Sequence, residues 1–497
     1  MIDTKFYNVL LHSLAFLFMF TSFNTATGVV QRSLDGYIHE TANSTKPFKN
    51  IDGYISNSVV YFSYATFNWL APVILSFLKP KYTMFIGSIL YATYLAAFIY
   101  PNTVILYIAS VLLGLGAAML WTSQGVFLTE NSDDKTIDRN AGIFYGFENS
   151  TMVWGNIYIF MEWKGVEMIG SDVRVPFFII FSILSVVGTL SLLFLRDREK
   201  ETNRKGKGIS GNEESLELKT SEKLVESPKP ESQLQQSKRT FLQAVTIVKT
   251  KNMLKNFPAF FAIGIGQTFT TCVYPTMVGA SKVFGSDSDR LIGINCIVLG
   301  IGMMLGSLCW APLAKIEVLG LNRKRIVYIG CAVNVVFSVV TFGLFPADSA
   351  AGTTYVQSGV FKTWFEGDNS TFQIGLPWHP AQFWLAILTT FFLGFADACI
   401  RVQVLGYIGW YYKVLPAPGF AIYHSIRSFF CGISFLYAKW SVFSQCLILI
   451  IGNVLCIAFF AVLEHEEKFE DEVRRDGIEI EIKRDDLDRK NSLDNVM

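Results

Sequence analysis

Charged residues are scarce in this chain. Asp, Glu, Lys and Arg make up 17% of its 497 residues, whereas a soluble domain has about 25%. The 42 basic and 41 acidic residues leave a net charge of +1, so the charge balance gives no reason to expect a nucleic-acid partner. The low charge instead favours a chain that lies largely in a lipid bilayer.

Cysteine is missing before Cys272. All eight cysteines lie in the second half, inside apolar segments, so the sequence indicates neither a disulfide framework nor a metal site. Buried thiols that pack as small apolar groups are expected instead. A nucleotide-binding loop, a catalytic triad arrangement and zinc-ligand spacing are also missing. We therefore expect no enzyme and no cofactor.

Apolar sequence is abundant, because 51% of the residues are hydrophobic. Apolar runs of about 18 residues or more predict membrane-spanning helices, so we expect an all-α, multi-pass membrane protein. A bundle over 1–195 has spans near 8–30, 54–78, 83–100, 103–127, 140–161 and 175–195. A second bundle over 252–463 has spans near 253–275, 289–313, 326–346, 381–407, 417–439 and 442–463. The charged stretch 196–251 is expected to be a disordered or locally helical cytosolic linker, and 464–497 a charged cytosolic tail.

Polar residues recur at the same spacing in the first and seventh segments. The two quartets, each at i, i+3, i+4 and i+7, are Thr21-Asn24-Thr25-Gly28 and Gly264-Gln267-Thr268-Thr271. This spacing puts each quartet on one helical face. Later glycines and prolines also recur in order, so we predict two parallel six-helix repeats, the architecture of the major facilitator superfamily. The threonines of the stripes either line a central cavity or bond back to their own helices. Asn24 and Gln267 either line that cavity, where they face each other, or bond across the two halves.

The candidates for chemistry inside the predicted spans are Glu148, Asp397, Arg401, His424 and Arg427. A charge near the bilayer centre costs about 2.5–3.5 kcal/mol, so such residues are expected to face the interior and find partners. Asp397 and Arg401 are i and i+4 and Arg427 lies at similar depth, so we expect Asp397 to pair with one of the two arginines. That pair is either a coupling or gating site or a structural ion pair. Glu148 is either a proton-coupling acid or a carboxyl that is neutral or bonded to another span, and His424 is expected to be a hydrogen-bonded interior residue.

Basic residues in short loops predict the orientation. They fall on one side of the predicted spans, which we expect to be cytosolic together with both termini, and they are Lys79, Lys81, Lys315, Arg323, Lys324, Arg325 and Lys413. Asn43 and Asn369 begin Asn-Ser-Thr acceptor sequences in loops on the opposite side, and we expect both to be glycosylated. Asn149 begins a third, but it lies within a span and is expected to be unmodified.

The stretch from span four into span five resembles a known family. The residues that carry the resemblance are Trp121, Gln124, Gly125, Asn131, Arg139, Asn140 and Gly142. The run Leu393-Gly394-Phe-Ala-Asp397 is similar to the span-ten motif of the same family. On these residues the chain resembles the uncoordinated-93-like family, a divergent branch of the major facilitator superfamily. The resemblance implies a facilitator fold over all twelve spans, and it implies a role like that of members known as ion-channel regulatory subunits and receptor-trafficking chaperones.

The chain departs from ordinary facilitators between spans two and three. The usual acidic and arginine signature is replaced there by Leu78-Lys79-Pro80-Lys81-Tyr82, and a remnant survives after span eight around Arg323. That loop normally helps to stabilise one conformation of the transport cycle. Its loss weakens the case for active transport without excluding it.

Two functions of different classes follow from these observations. The first is a non-enzymatic accessory protein that regulates or escorts an ion channel or a membrane receptor. The second is a solute carrier that holds a small solute in a central cavity, with or without coupling to protons. A cavity lined by Asn24, Gln267 and a titratable acid favours the carrier, whereas a closed centre with an exposed polar face inside the membrane favours the accessory protein.

Overall fold

The computed structural model of this chain is built from α-helices. It describes residues 3–41, 53–133, 135–163, 169–196, 233–280, 288–310, 322–345, 383–413 and 415–461. Helices suit a chain in lipid, because each helix satisfies its own backbone hydrogen bonds where no water is present. The predicted sites Asn43 and Asn369 lie outside the described residues.

The first half forms helices that match its six predicted segments. They are α1 (Thr4–Thr41), α2 (Gly53–Phe67), α3 (Ala71–Phe77), α4 (Pro80–Ala96), α5 (Thr103–Glu130), α6 (Ile137–Glu162) and α7 (Ser171–Ser191). α2 and α3 meet at a bend of 58°, just before Pro72, whose ring fits the first turn of a helix and not its interior. The predicted span 54–78 is therefore two helices across one bend.

The second half begins with a helix in the predicted linker. The helices are α8 (Gln233–Val248), α9 (Lys251–Thr268), α10 (Tyr274–Ala280), α11 (Ser288–Leu308), α12 (Arg323–Leu344), α13 (Phe383–Tyr411), α14 (Pro416–Leu436) and α15 (Val442–Ala461). α8 packs against α14 and α3 and buries Ala244 and Ile247. The end of the linker is thus helical and anchored to both halves, while 197–232 lies outside the described residues.

Seven helices in the described ranges are long and apolar enough to cross a membrane, or eight if the bent pair α2 and α3 is one span. The remaining predicted segments are α4, α6, α9 with α10, and α14. α4 has 17 residues, and the other three contain polar groups such as Glu148, Gln267 and Arg427 that lie inside the protein. The chain is therefore an integral multi-pass membrane protein, and the count of twelve spans stays a prediction.

The helix contacts repeat between the two halves. In the first half α1 packs against α6 and α7, α5 packs against α2 and α4, and α4 packs against α7. In the second half α9 packs against α14 and α15, α13 packs against α11 and α12, and α12 packs against α15. Each of these five contacts of the first half thus has a counterpart between the corresponding helices of the second. The halves meet through α2 with α14 and α6 with α11.

The first helix is anchored at both ends. Near its start, Asn8 donates to the Arg196 carbonyl oxygen at 3.1 Å and accepts from the Arg196 N–H at 3.0 Å. Near its other end, Glu40 accepts a hydrogen bond from the Ser171 N–H at 2.6 Å and lies 3.5 Å from Arg174. The Arg174 guanidinium stacks over the Tyr37 ring, 4.5 Å from its centroid. Both ends of α1 are therefore tied to α7 or its continuation.

The central cavity as candidate functional site

A polar cavity lies between the two halves. It has two adjoining parts, each with a volume of about 60 Å³. The residues that line both parts are Phe23, Asn24, Val60, Tyr61, Glu148, Gln267 and Arg401. Since one water needs about 10–15 Å³ on this measure, each part has room for about four waters. The cavity therefore has space for a small molecule.

Three charged residues form an ion-pair cluster across the cavity wall. The Arg401 guanidinium lies 3.7 Å from Glu148 and 3.6 Å from Asp397, and all three side chains are buried. Arg401 also donates a hydrogen bond of 2.5 Å to the Asn149 side chain. Glu148 and Asn149 belong to α6, whereas Arg401 and Asp397 belong to α13. The cluster therefore joins the first half of the protein to the second.

Asn149 contributes a contact that the sequence did not indicate. Its amide donates to the Ser307 hydroxyl of α11 at 2.8 Å, in addition to accepting from Arg401. The side chain is 2% exposed, which leaves no room for a glycan. A polar residue within an apolar span was the available signal in the sequence for this buried hydrogen bonding.

Arg427 has a different environment. Its guanidinium donates to the Gln267 side-chain oxygen and lies 6.0 and 5.8 Å from the ring centroids of Tyr64 and Tyr423. Cation–π contacts of this kind stabilise a desolvated guanidinium. His424 lines the same part of the cavity, with its ring 4.8 Å from that of Tyr423.

The two predicted stripes divide between the cavity and the helix interfaces. Asn24 donates to Thr151 of its own half at 2.9 Å, and Gln267 donates to Tyr61 of the other half at 3.5 Å. Among the described contacts Asn24 and Gln267 do not bond each other, but both line the cavity. Thr271 lines one part.

The other hydroxyls of the stripes are buried outside the cavity lining. Thr25 donates to the Thr21 carbonyl at 2.6 Å and packs closely against Gly155 of α6. Thr268 donates to the Gly264 carbonyl at 3.4 Å. The hydroxyls of Thr25 and Thr268 therefore bond back to their own helices, as in the second alternative given for the threonines.

The seventh segment is not one continuous α-helix. It widens into a π-helix over Phe269–Val273, and π turns of this kind often occur at functional sites. A wider turn rotates the following residues relative to α-helical spacing. Thr271 lies within this wider turn, and its hydroxyl donates to the Gln267 carbonyl at 2.7 Å.

Three of the family-motif residues, Asn131, Arg139 and Asn140, form a hydrogen-bonded cluster where α5 ends and α6 begins, next to the start of α1. Asn8 donates to the Asn131 side chain at 3.0 Å, and Asn140 donates to Ser132 at 2.9 Å. Arg139 donates to the Asn140 oxygen at 3.1 Å. The motif thus holds the connection between spans four and five in place and does not line the cavity, apart from Trp121.

The short connection between α5 and α6, which lies inside this motif, is also held by local hydrogen bonds. Asp133 accepts hydrogen bonds from the Thr136 hydroxyl at 2.8 Å and from the Thr136 N–H at 2.9 Å. These hydrogen bonds lower the pKa of the Asp133 carboxyl, because they favour its charged form. The resulting turn directly precedes α6.

Two other motif residues lie against the second half. A Cβ at Gly125 would lie 2.6 Å from the Phe420 ring of α14, and a Cβ at Gly142 would lie 3.2 Å from the Ser307 carbonyl oxygen of α11. Gln124 is buried, at 1% exposure. Small residues at these positions allow the helices of the two halves to approach closely.

A further ion pair joins the halves at the basic face, which is the side of the protein that carries the basic loop residues. Arg323, in the remnant of the facilitator loop, donates to both oxygens of Asp138 at 2.7 and 2.9 Å. Asp138 begins α6 and Arg323 begins α12, so the pair connects the first half to the second. Arg323 stands out in the sequence as part of a basic loop, but its partner could not be predicted, because the two residues are 185 positions apart. No group of three or more potential metal ligands lies together in the described ranges.

Comparisons with known proteins agree with this architecture. A family model described as "Ion channel regulatory protein UNC-93" matches residues 44–463. The UNC93-like protein MFSD11 of Xenopus laevis is 31% identical over 460 residues, which cover 92% of this chain and 96% of that protein. The Protein unc-93 homolog A of Bos taurus is 29% identical over 160 residues, 30% of this chain and 32% of that one.

A solved structure supports the fold independently. The E. coli fucose:proton symporter FucP superposes with a TM-score of 0.54 at 11% identity, over 93% of this chain and all of that one. The similarity establishes the major facilitator fold and, at this identity, nothing about the solute. The MFSD11 relative matches the branch called major facilitator superfamily domain-containing protein eleven, which the span-four to span-five stretch resembles. With an all-α facilitator fold and a family match over most of its length, the chain belongs to the UNC-93 family of multi-pass membrane proteins.

Proposed function

We propose that this protein is a solute carrier of the major facilitator type, in which a small polar solute occupies the central cavity. The supporting observation is that Asn24, Gln267 and the titratable acid Glu148 line one cavity between the halves. Charged and amide groups in a membrane are costly unless they are paired or face a polar space. No catalysis is part of the proposal, and the families that the chain matches are not enzymes.

Glu148 is the proposed coupling residue. Its carboxylate on α6 pairs with Arg401 on α13, so the ion pair holds the two halves together at the cavity. Protonation of Glu148 removes the negative charge and weakens that connection, while Asp397 keeps Arg401 paired within the second half. Proton binding and separation of the halves are linked in this scheme.

Uptake into proteoliposomes tests the carrier. The purified protein is reconstituted, and entry of radiolabelled lactate, benzoate, glycine and glycerol is compared with empty liposomes, with and without a pH gradient. We expect protein-dependent uptake of at least one solute, loss of its pH-gradient dependence in Glu148→Gln, and a large loss of uptake in Asn24→Ala and Gln267→Ala.

Two buried amides away from the cavity provide matched controls. Asn453 donates to Asn334 at 3.1 Å, and Gln445 donates to the Ala438 carbonyl at 2.9 Å. Asn453→Ala and Gln445→Ala should retain uptake when expression is matched. Rates equal to those of empty liposomes for every solute would overturn the carrier proposal.

A second candidate is regulation of an ion channel, in the manner that the family description states. The observation that favours it is the family match over residues 44–463. In this role the cavity groups serve mainly to join the halves. Affinity purification from native membranes followed by mass spectrometry should then recover an ion-channel subunit in wild type and equally in Asn24→Ala. Recovery without any channel subunit counts against this role.

A further inference from the structure

Arg427 is a buried cation that has no carboxylate at ion-pair distance among the residues that the structure describes. Its residue exposure is 6%, and it lines the cavity. Within the described ranges, Arg401 is the arginine that holds both buried acids at ion-pair distance, and the side-chain acceptor of Arg427 is the neutral amide of Gln267. A guanidinium has five N–H donors, so most of its bonding capacity is not used by Gln267.

Two tyrosine side chains lie near this guanidinium, with their ring centroids 6.0 and 5.8 Å from its central carbon. Tyr64 and Tyr423 are 3% and 0% exposed, and both line the same part of the cavity as Arg427. Among the described residues, the Tyr64 and Tyr423 hydroxyls and the Arg427 Nε have no hydrogen-bond partner. Buried polar groups are normally satisfied, so three such donors together indicate a binding role.

The charges around the cavity also favour an anion at this position. Arg401 is surrounded by Glu148 and Asp397, so an anion near it would meet two carboxylates. Arg427 instead contacts an amide and two phenol rings, and its charge acts on Glu148 and Asp397 only from beyond ion-pair distance. A guanidinium binds a carboxylate through two parallel hydrogen bonds.

We propose that Arg427, Tyr64 and Tyr423 bind the carboxylate of a small organic monocarboxylate in the central cavity. This assignment rests on the proposed carrier function and names its substrate class. The Arg427 guanidinium holds the two carboxylate oxygens, and the tyrosine hydroxyls donate to their remaining lone pairs. Aromatic side chains such as Phe20 and Trp121 line the same part of the cavity and provide an apolar surface for the body of the solute.

Thermal unfolding of the full-length protein in detergent tests the site directly. Benzoate is compared with benzamide and lactate with lactamide at equal ionic strength, so that each pair differs chiefly in charge, and inorganic phosphate is a third anion. A ligand that binds the folded state raises Tm. We expect both carboxylates to raise Tm and both amides to leave it unchanged. Equal shifts within each pair, or a shift with phosphate alone, would overturn the carboxylate assignment.

Variants separate binding from folding. Arg427→Gln should weaken benzoate binding at least about tenfold, and Arg427→Lys should restore part of it. Tyr64→Phe, which keeps the guanidinium and the ring, should weaken binding about fivefold. Arg174→Gln is the matched control, because Arg174 is also buried, at 2% exposure, and stacked on a tyrosine, but away from the cavity. It should bind benzoate as wild type does.

The outcomes distinguish the site from the carrier proposal. If benzoate binds through Arg427 but no solute enters proteoliposomes, the anion site is supported and the carrier is overturned. If glycerol is taken up while benzoate and benzamide act alike, the carrier is supported and the anion site is overturned. If Arg427→Gln does not fold, Tyr64→Phe and the wild-type pairs decide, and unchanged benzoate binding in Tyr64→Phe and Tyr423→Phe overturns the assignment.

Discussion

At the scale of single residues, Arg401 is the side chain that joins the two halves at the cavity wall. It contacts Glu148 and Asn149 on one half and Asp397 on the other. Removing one partner of a buried ion pair leaves an uncompensated charge, which is more costly than the pair is stabilising. The three polar contacts of Arg401 therefore make its loss more severe than the loss of any one partner.

Asp397→Asn should lower the folded yield, because it removes one of the two acids that compensate Arg401. Arg401→Gln should lower the yield more, since it leaves both Glu148 and Asp397 unpaired, with a cost of about 3–5 kcal/mol in buried settings. The double variant Asp397→Asn with Arg401→Gln should recover part of the loss of Arg401→Gln. Size-exclusion chromatography of fluorescently tagged protein measures the yield. A double variant no better than Arg401→Gln alone would contradict the pairing.

At the scale of helices, close contacts between the halves depend on small residues. Gly125→Ala should destabilise the protein by about 1–3 kcal/mol, because the new methyl group would overlap the Phe420 ring. Gly28→Ala is the control: it lies inside α1 with nothing within 4 Å of a Cβ, and alanine favours a helix over glycine by about 1 kcal/mol. Thermal unfolding in one detergent should lower Tm for the first variant and leave it equal or higher for the second. A reversed order would place the α5–α14 contact elsewhere.

The ends of α6 and α12 close the basic face through Asp138 and Arg323. Both side chains are partly exposed, at 55% and 21%, so the pair should contribute at most about 1 kcal/mol to folding stability. Its larger effect should be on the opening of that face, since it bridges the two halves.

Labelling of a cysteine placed at Asn24 measures this opening. Asp138→Asn should speed its reaction with a water-soluble maleimide, above the background of the native cysteines. The charge-swapped pair Asp138→Arg with Arg323→Asp should return the rate toward that of the parent protein. Equal rates in all three proteins would show that the pair does not control access.

At the scale of the whole molecule, the orientation can be tested by glycosylation. Asn43 and Asn369 precede Ser-Thr in loops predicted to lie opposite the basic face, whereas Asn149 is buried and bonded to Ser307. Replacing Asn43 and Asn369 together by Gln should abolish the mass shift on glycosidase treatment, and Asn149→Gln should leave it unchanged. A shift that survives the double replacement would contradict the predicted loop assignment.

The order of helices could be predicted from the sequence, because lipid requires long apolar helices and a repeat leaves glycine and proline in matching positions. The length of α1 could not: hydropathy placed its end near residue 30, but the helix continues in polar sequence to Thr41. One partner of Arg401, Asp397, followed from the i, i+4 spacing. Glu148 and Asn149 did not, because they lie in the other half, and Asn149 is 252 positions away. Local spacing carries no information on contacts at that separation.

The unusual length of α1 has a mechanical consequence. Its 38 residues span about 57 Å at 1.5 Å per residue, nearly twice the roughly 30 Å of hydrocarbon. Because Glu40 links the end of α1 to Ser171 and Arg174, α1 and α7 must tilt together as one unit. For each 5° of tilt about the start of α1, its far end moves about 5 Å. Groups near the middle of the helix, such as Asn24, move about half as far. Small rearrangements around the cavity are thus magnified at the outer rim, where a probe attached beside Thr41 would register them.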